Sequence, residues 1–177
     1  EWADIQRDIA TKRIDEDRFN VNDVKLVLGM YMYLNEDESY GTVACTVYNY
    51  LTKEVEFTDC YSFNNIYIYV SGYLGFREVP VYKKMYDKIK DRYKIDIIII
   101  NSYGKLHDRL AGSATHLGVE LSVPTIGVGK SIIPLDGLRD IATRKRFRER
   151  CENIGDFLEL KGKSGTIYGA AVRTSKT

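Results

Sequence analysis

Histidine and cysteine are scarce in this chain, at two and three among 177 residues. Cys45, Cys60 and Cys151 lie far apart, and none belongs to a Cys-x-x-Cys pair. An odd, scattered set of this kind excludes a disulfide scaffold and a cysteine-built zinc site. A reduced intracellular setting, nuclear or cytoplasmic, is the simpler expectation. No apolar run approaches the roughly 18 residues that crossing a membrane requires, and nothing at the start reads as a signal peptide. No membrane partner is therefore expected. A dominant charge sign is also missing: 26 Lys and Arg face 25 Asp and Glu, a net +1. That excludes a global field drawing the chain to nucleic acid or lipid. Internal repeats, low-complexity tracts and linkers are absent too, so 1–177 is expected to form a single domain with an ordinary core.

What is present is a globular composition, 44% hydrophobic and 29% charged. Charge becomes uneven only toward the end, where 139–176 holds ten Lys/Arg against five Asp/Glu. Its sharpest piece, RKRFRER (144–150), reads as a phosphate-contacting face or, equally, as a solvated helix face. Fourteen tyrosines concentrate between Tyr31 and Tyr103. Tyrosine stacks on bases but also forms strands, and the count alone favours strands.

The opening segment, through about Phe19, predicts a peripheral helix on Trp2, Ile5, Ile9 and Ile14. VKLVLGMYMYL (24–34) predicts a strand with Leu26, Leu28, Met30 and Met32 on one side and Val27, Gly29, Tyr31 and Tyr33 on the other. GTVACTVYNYL and EVEFTDCYSF add two more strands of an antiparallel meander. A helix is expected over about 79–93, with Pro80 in its first turn. IDIIII (95–100) has no polar face and predicts a central strand covered on both sides. Asp108 is expected to cap a short helix carrying Leu110, Ala114 and Leu117. VPTIGVG (123–129) predicts a further buried strand, a basic helix fills roughly 136–150, and DFLEL and TIYGAAV flank the turn KGKSG. The order gives an α/β domain on a central mixed sheet flanked by helices.

Four isoleucines running into Asn101, Ser102, Tyr103, Gly104 and then His107 look like a strand opening onto a site. Three strings identify its kind. YVSGYLGFREVP (69–80), HLGVELSVPTIGVGKS (116–131) and SGTIYGAAVR (164–173) resemble the endonuclease V family, the eukaryotic branch in particular, and the similarity runs in order from about Lys25 to Thr174. The resemblance implies a ribonuclease-H-like fold and a Mg²⁺- or Mn²⁺-dependent endonuclease acting near inosine in DNA or RNA.

Carried over residue by residue, the resemblance identifies a divergent member. The family's Gly-x-Asp on the first strand is matched here by GMY, which puts Tyr31 at the aspartate. A second aspartate ends the central strand, and Asn101 holds that place, with His107 in step behind it. Glu78 of the FRE triplet is retained, so it is left as the one carboxylate, a weak metal ligand at best. Mg²⁺ takes hard, preferably charged oxygens, and a neutral phenol is a poor substitute. Tyr69 matches the aromatic wedge that opens the strand, Gly72 a tight turn beside a nucleotide, and Lys130 a phosphate contact. Ser164, Gly165 and Thr166 read as a turn holding a flipped base or phosphate, or as a plain hairpin turn. Without the family pattern, Glu78 would be a helix-terminal carboxylate, His107 a locally bonded loop histidine and Lys130 a surface lysine. The family pattern also continues past SGTIYGAAVR into a tail bringing a further group near the metals. That tail lies outside these residues, either because the protein is short there or because more chain follows.

Three functional readings follow. A nucleic-acid-binding member without hydrolysis keeps Tyr69, Lys130 and the SGT turn while losing two carboxylates. An endonuclease with an unusual site would work through Glu78, His107 and neutral Asn101. A protein-interaction scaffold would use the tyrosine-rich surface of about 47–73 on a protein partner.

Overall fold

The structure, a computed structural model, describes residues 1–65 and 68–176. Its element order is α1 (Trp2–Lys12), β1 (Leu26–Leu34), β2 (Tyr40–Asn49), β3 (Glu54–Asn64), α2 (Leu74–Ile89), β4 (Ile97–Ile100), α3 (Ser113–Leu121), β5 (Thr125–Gly127), α4 (Asp140–Arg150), β6 (Phe157–Lys161) and β7 (Ile167–Val172). Among the described residues β3-β2-β1-β4-β5 form one sheet and β6-β7 a separate pair. β1 runs antiparallel to β2 and parallel to β4, which makes the sheet mixed. Helices flank it, as an α/β fold of the ribonuclease-H type requires.

Alternation decides which face is core. Leu28, Val43, Val47 and Ile98 are fully buried, and α2 and α3 cover them with Val79, Tyr82, Met85 and Leu117. Removing a side chain such as Met85 should cost about 2–5 kcal/mol. The odd positions of β1 point the other way, and there Tyr31 and Tyr33 are exposed. A second small cluster, Leu106, Leu138 and Leu160, joins the β6-β7 pair to the loop after β4. Among the described residues no helix is long and apolar enough to cross a membrane.

Several boundaries differ from expectation. The first helix stops at Lys12, and α2 begins at Leu74 with Pro80 inside it. Its early turns are held by burial of Gly75, Arg77, Glu78 and Val79 rather than by capping chemistry. Asp108 caps nothing: Leu110 takes a positive φ of 57° and the Gly112 N–H bonds the Gly104 carbonyl, so the chain turns before α3 can start. β5 is a three-residue edge strand with Ile126 exposed, not a buried one. β4 is not the central strand: it lies between β1, which is central, and the edge strand β5, and its Ile97 and Ile99 are only half-buried. The basic helix starts at Asp140, because 135–138 forms a tight turn. Tyr67, part of the expected tyrosine-rich surface, lies outside the described residues.

Candidate nucleic-acid interface and metal-site remnant

The parallel register of β1 and β4 ends at Met30 opposite Ile100. Tyr31 and Asn101 come next, and both line one groove of about 420 Å³ with Gly29, Ala44, Ile99 and Val128. The two positions where the family pattern expects aspartate are therefore neighbours on the open sheet face.

Glu78 approaches from α2 and is buried. Among the described residues its Oε2 has no hydrogen-bond partner of good geometry, although the Ser113 hydroxyl is close by. Burial pushes the Glu78 carboxyl above the usual carboxylate range, opposed in part by Ser113, Ser102 and the Arg77 charge. Tyr82, one turn further along α2, has its phenol pushed up by burial and by Glu78 itself. Of the three positions in the family pattern only Glu78 is a carboxylate, and it lies in the interior beside Ser102, outside the lining of the groove that holds the Tyr31 phenol and the Asn101 amide. Among the described residues no group of three or more His, Cys, Asp or Glu is placed to hold a metal ion. Mg²⁺ commonly uses one or two carboxylates together with substrate phosphate and demands near-octahedral oxygen. The residues present do not fit it.

His107 belongs to a different cluster. Its Nε2 lies 2.9 Å from the Gly72 carbonyl, and its Nδ1 accepts the Arg109 N–H at 3.2 Å. With Nδ1 an acceptor, the ring proton sits on Nε2 and is donated to Gly72. Burial, first of the causes, holds this imidazole below its ordinary range. The same Gly72 carbonyl accepts from Gln6 Nε2 at 2.9 Å and from Arg109 Nη2 at 2.8 Å. Arg109 Nε in turn donates to Gln6 Oε1, and its guanidinium lies 4.4 Å over the Tyr73 ring. Gly72 sits at φ +78°, a conformation that glycine adopts without penalty. Three donors from two segments distant in sequence thus converge on one peptide oxygen. Gln6 and Arg109 carried no local signal; only the fold brings them together across 103 positions.

Tyr69, half exposed, begins this turn. Arg77 lies 5.2 Å from its ring and also reaches Glu38 at 2.8 Å. Trp2 stacks on Phe76 at 4.9 Å and, with Tyr69 and Tyr73, lines the same small hollow. Neighbouring residues of α2 therefore serve the two clusters separately: Arg77 the Tyr69 turn, Glu78 the interior beside Ser102.

Lys130 is exposed and lines a larger groove of about 650 Å³ with Lys105, Tyr103, Arg144 and Tyr168. Val128 lines both this groove and that of Tyr31 and Asn101, so the two are contiguous around β5. Ser164, Gly165 and Thr166 line neither groove. Their amides are already bonded: Ser164 N–H and Oγ to Asp136, Gly165 N–H to Gly162 O, and Thr166 N–H to Ser164 Oγ. That is the bonding of a plain hairpin turn, and it leaves those N–H groups committed.

Known proteins share this architecture. Human endonuclease V is 36% identical over 109 residues, 60% of this chain, so the match spans about two-fifths (39%) of that relative's length. The catalytic domain of human endonuclease V superposes with a TM-score of 0.90 at 27% identity, over 97% of this chain and 74% of that one. Endonuclease V of Ciona intestinalis, in complex with a 24-mer DNA containing an inosine followed by a ribo-adenosine, superposes at 0.86 and 26% identity, over 97% and 75%. The family model described as Endonuclease V matches residues 7–177, and the chain belongs to the endonuclease V family.

Proposed function

We propose that this protein binds single-stranded or structured nucleic acid, inosine-containing RNA or DNA in particular, and does not hydrolyse it at a useful rate. The observation that carries the reading is the pairing of Tyr31 with Asn101 in one groove whose lining does not include the one remaining carboxylate, Glu78. A phosphodiester cut by two cations needs both the attacking and the leaving oxygen clamped. Three carboxylates would leave a dication at net −1; one leaves +1, which opposes a second cation. Recognition depends on other groups. Tyr69 would act as the wedge, the turn at Gly72 would hold it in place, and Lys130 would meet a phosphate. The inosine-containing DNA held by the Ciona relative supports this choice of ligand.

One assay tests it: inosine-containing single-stranded RNA and DNA with EDTA, Mg²⁺ or Mn²⁺, scored for both retardation and cleavage. Retardation in EDTA with intact substrate is expected. Cleavage that needs metal and is lost in Glu78→Gln would establish a working endonuclease with an unusual site. Neither retardation nor cleavage would favour a protein-interaction role instead. The double change Tyr31→Asp with Asn101→Asp is expected to bind Mn²⁺ by calorimetry where the parent does not.

A further inference from the structure

Arg139, Arg146, Lys161 and Lys163 line one concavity of about 230 Å³ between the first turns of α4 and the end of β6. All four are exposed. The acidic lining residue is Asp136, and its carboxylate is already engaged by the Ser164 N–H at 3.1 Å and the Tyr168 hydroxyl at 3.2 Å. Those bonds, Ser164 Oγ foremost, hold it below the usual carboxylate range, so it stays ionised as part of the turn. Four cations against one anion leave a local excess of three positive charges.

The concavity is shaped rather than incidental. Lys163 donates its N–H to the Asp136 carbonyl at 2.8 Å. Its stem lies across Gly137, where a Cβ would come within 2.7 Å of the lysine Cγ and Cε. Gly137, at φ +80°, both makes the turn and leaves that passage open. The Lys163 side chain thereby lies along the Asp136–Gly137 edge of the concavity, where its charge also acts on Asp136. Arg144, by contrast, is spent on Asp140 at 2.6 Å and on the Lys130 carbonyl at 2.8 Å.

Among the described residues the lining contains no aromatic side chain, so it offers no platform for a base. Cations without stacking partners position a phosphate backbone and read no sequence. Thr143 lines both this concavity and the Lys130 groove, so α4 is the ridge between two basic hollows. We infer that Arg139, Arg146, Lys161 and Lys163 form a second phosphodiester-binding patch, which holds the backbone of the same nucleic acid beyond the Lys130 groove. The inference rests on the nucleic-acid reading above and extends it to a sequence-independent contact.

The test is fluorescence anisotropy of a labelled single-stranded oligonucleotide in EDTA across a salt series. The comparison is between the wild-type protein and the triple variant Arg146→Gln/Lys161→Gln/Lys163→Gln. Each lost phosphate contact lowers the slope of log affinity against log salt by about 0.7 on single strands. The triple variant should therefore lose about 2 from that slope and bind at least ~10-fold more weakly near 0.1 M salt. The charge-conserving triple Arg146→Lys/Lys161→Arg/Lys163→Arg should keep the wild-type slope. An unchanged slope in the neutral triple, with wild-type binding intact, overturns this patch and leaves the nucleic-acid reading standing. Absence of wild-type binding overturns both. If the neutral triple does not fold, Lys163→Gln alone decides the matter, with a slope lower by about 0.7 supporting the patch and an unchanged slope overturning it.

Discussion

Glu78 carries the chemical tension of this molecule. A buried carboxylate with an unpartnered oxygen favours its protonated form, so the folded state holds the proton to a higher pH than the unfolded chain. Its contribution to stability is thus fully present below its ordinary value of 4.5 and is lost as pH rises through the folded value. A tenfold difference in proton affinity between the folded and unfolded chain corresponds to about 1.4 kcal/mol. Glu78→Gln removes the titration while keeping the shape of the side chain and an oxygen for the Ser113 and Ser102 hydroxyls. We expect the variant to unfold at nearly the wild-type temperature near pH 4 and at a higher one at pH 7. A difference that is constant with pH would show that Glu78 is not held this way. His107 has the opposite sign: burial depresses its folded value, so its contribution is lost as pH falls below its ordinary 6.5.

At the scale of elements, α1 buttresses the Tyr69–Gly72 turn. Gln6 is almost fully buried, and through its amide it both donates to Gly72 and accepts from Arg109. Gln6→Ala should cost about 1–3 kcal/mol, since it leaves a part-buried guanidinium N–H without its acceptor and empties a buried site. If the turn presents Tyr69 to a strand, affinity should fall with the melting temperature, while the salt slope stays fixed because no phosphate contact is lost. A changed slope would place Gln6 or Arg109 at the phosphates instead. What was legible in sequence follows the same scale. The β1–β2–β3 meander and the identity of β4 were readable because alternation and β-branched runs are local signals. The start of α2, the turn at Leu110 and the edge position of β5 were not, because distant packing sets each of them. The same divide runs through the site. Tyr31 on β1, Asn101 just past the end of β4 and Glu78 on α2 stand in recognisable strings, whereas Gln6 and Arg109 reveal themselves only in three dimensions.

For the whole molecule, cohesion is uneven. β1 is bonded along both edges and packed beneath α2 and α3, whereas β6-β7 rests on the small Leu106, Leu138 and Leu160 cluster. Local opening is easiest where buried apolar contact is least. Amides of Leu28 and Ile98 should exchange hydrogen only on global unfolding, and those of Leu158 and Leu160 at least ~10-fold faster. Equal rates would mean that the two sheets open together. The basic concavity sits at the join between these parts, since α4 and the end of β6 form its walls.

The stacking of Trp2 on Phe76 has an optical consequence. It is the single indole of the chain and sits in the same hollow as Tyr69. Any partner that shifts this turn changes the polarity and quenching around that chromophore, so the protein carries an intrinsic fluorescent reporter of its own engagement, with no label attached.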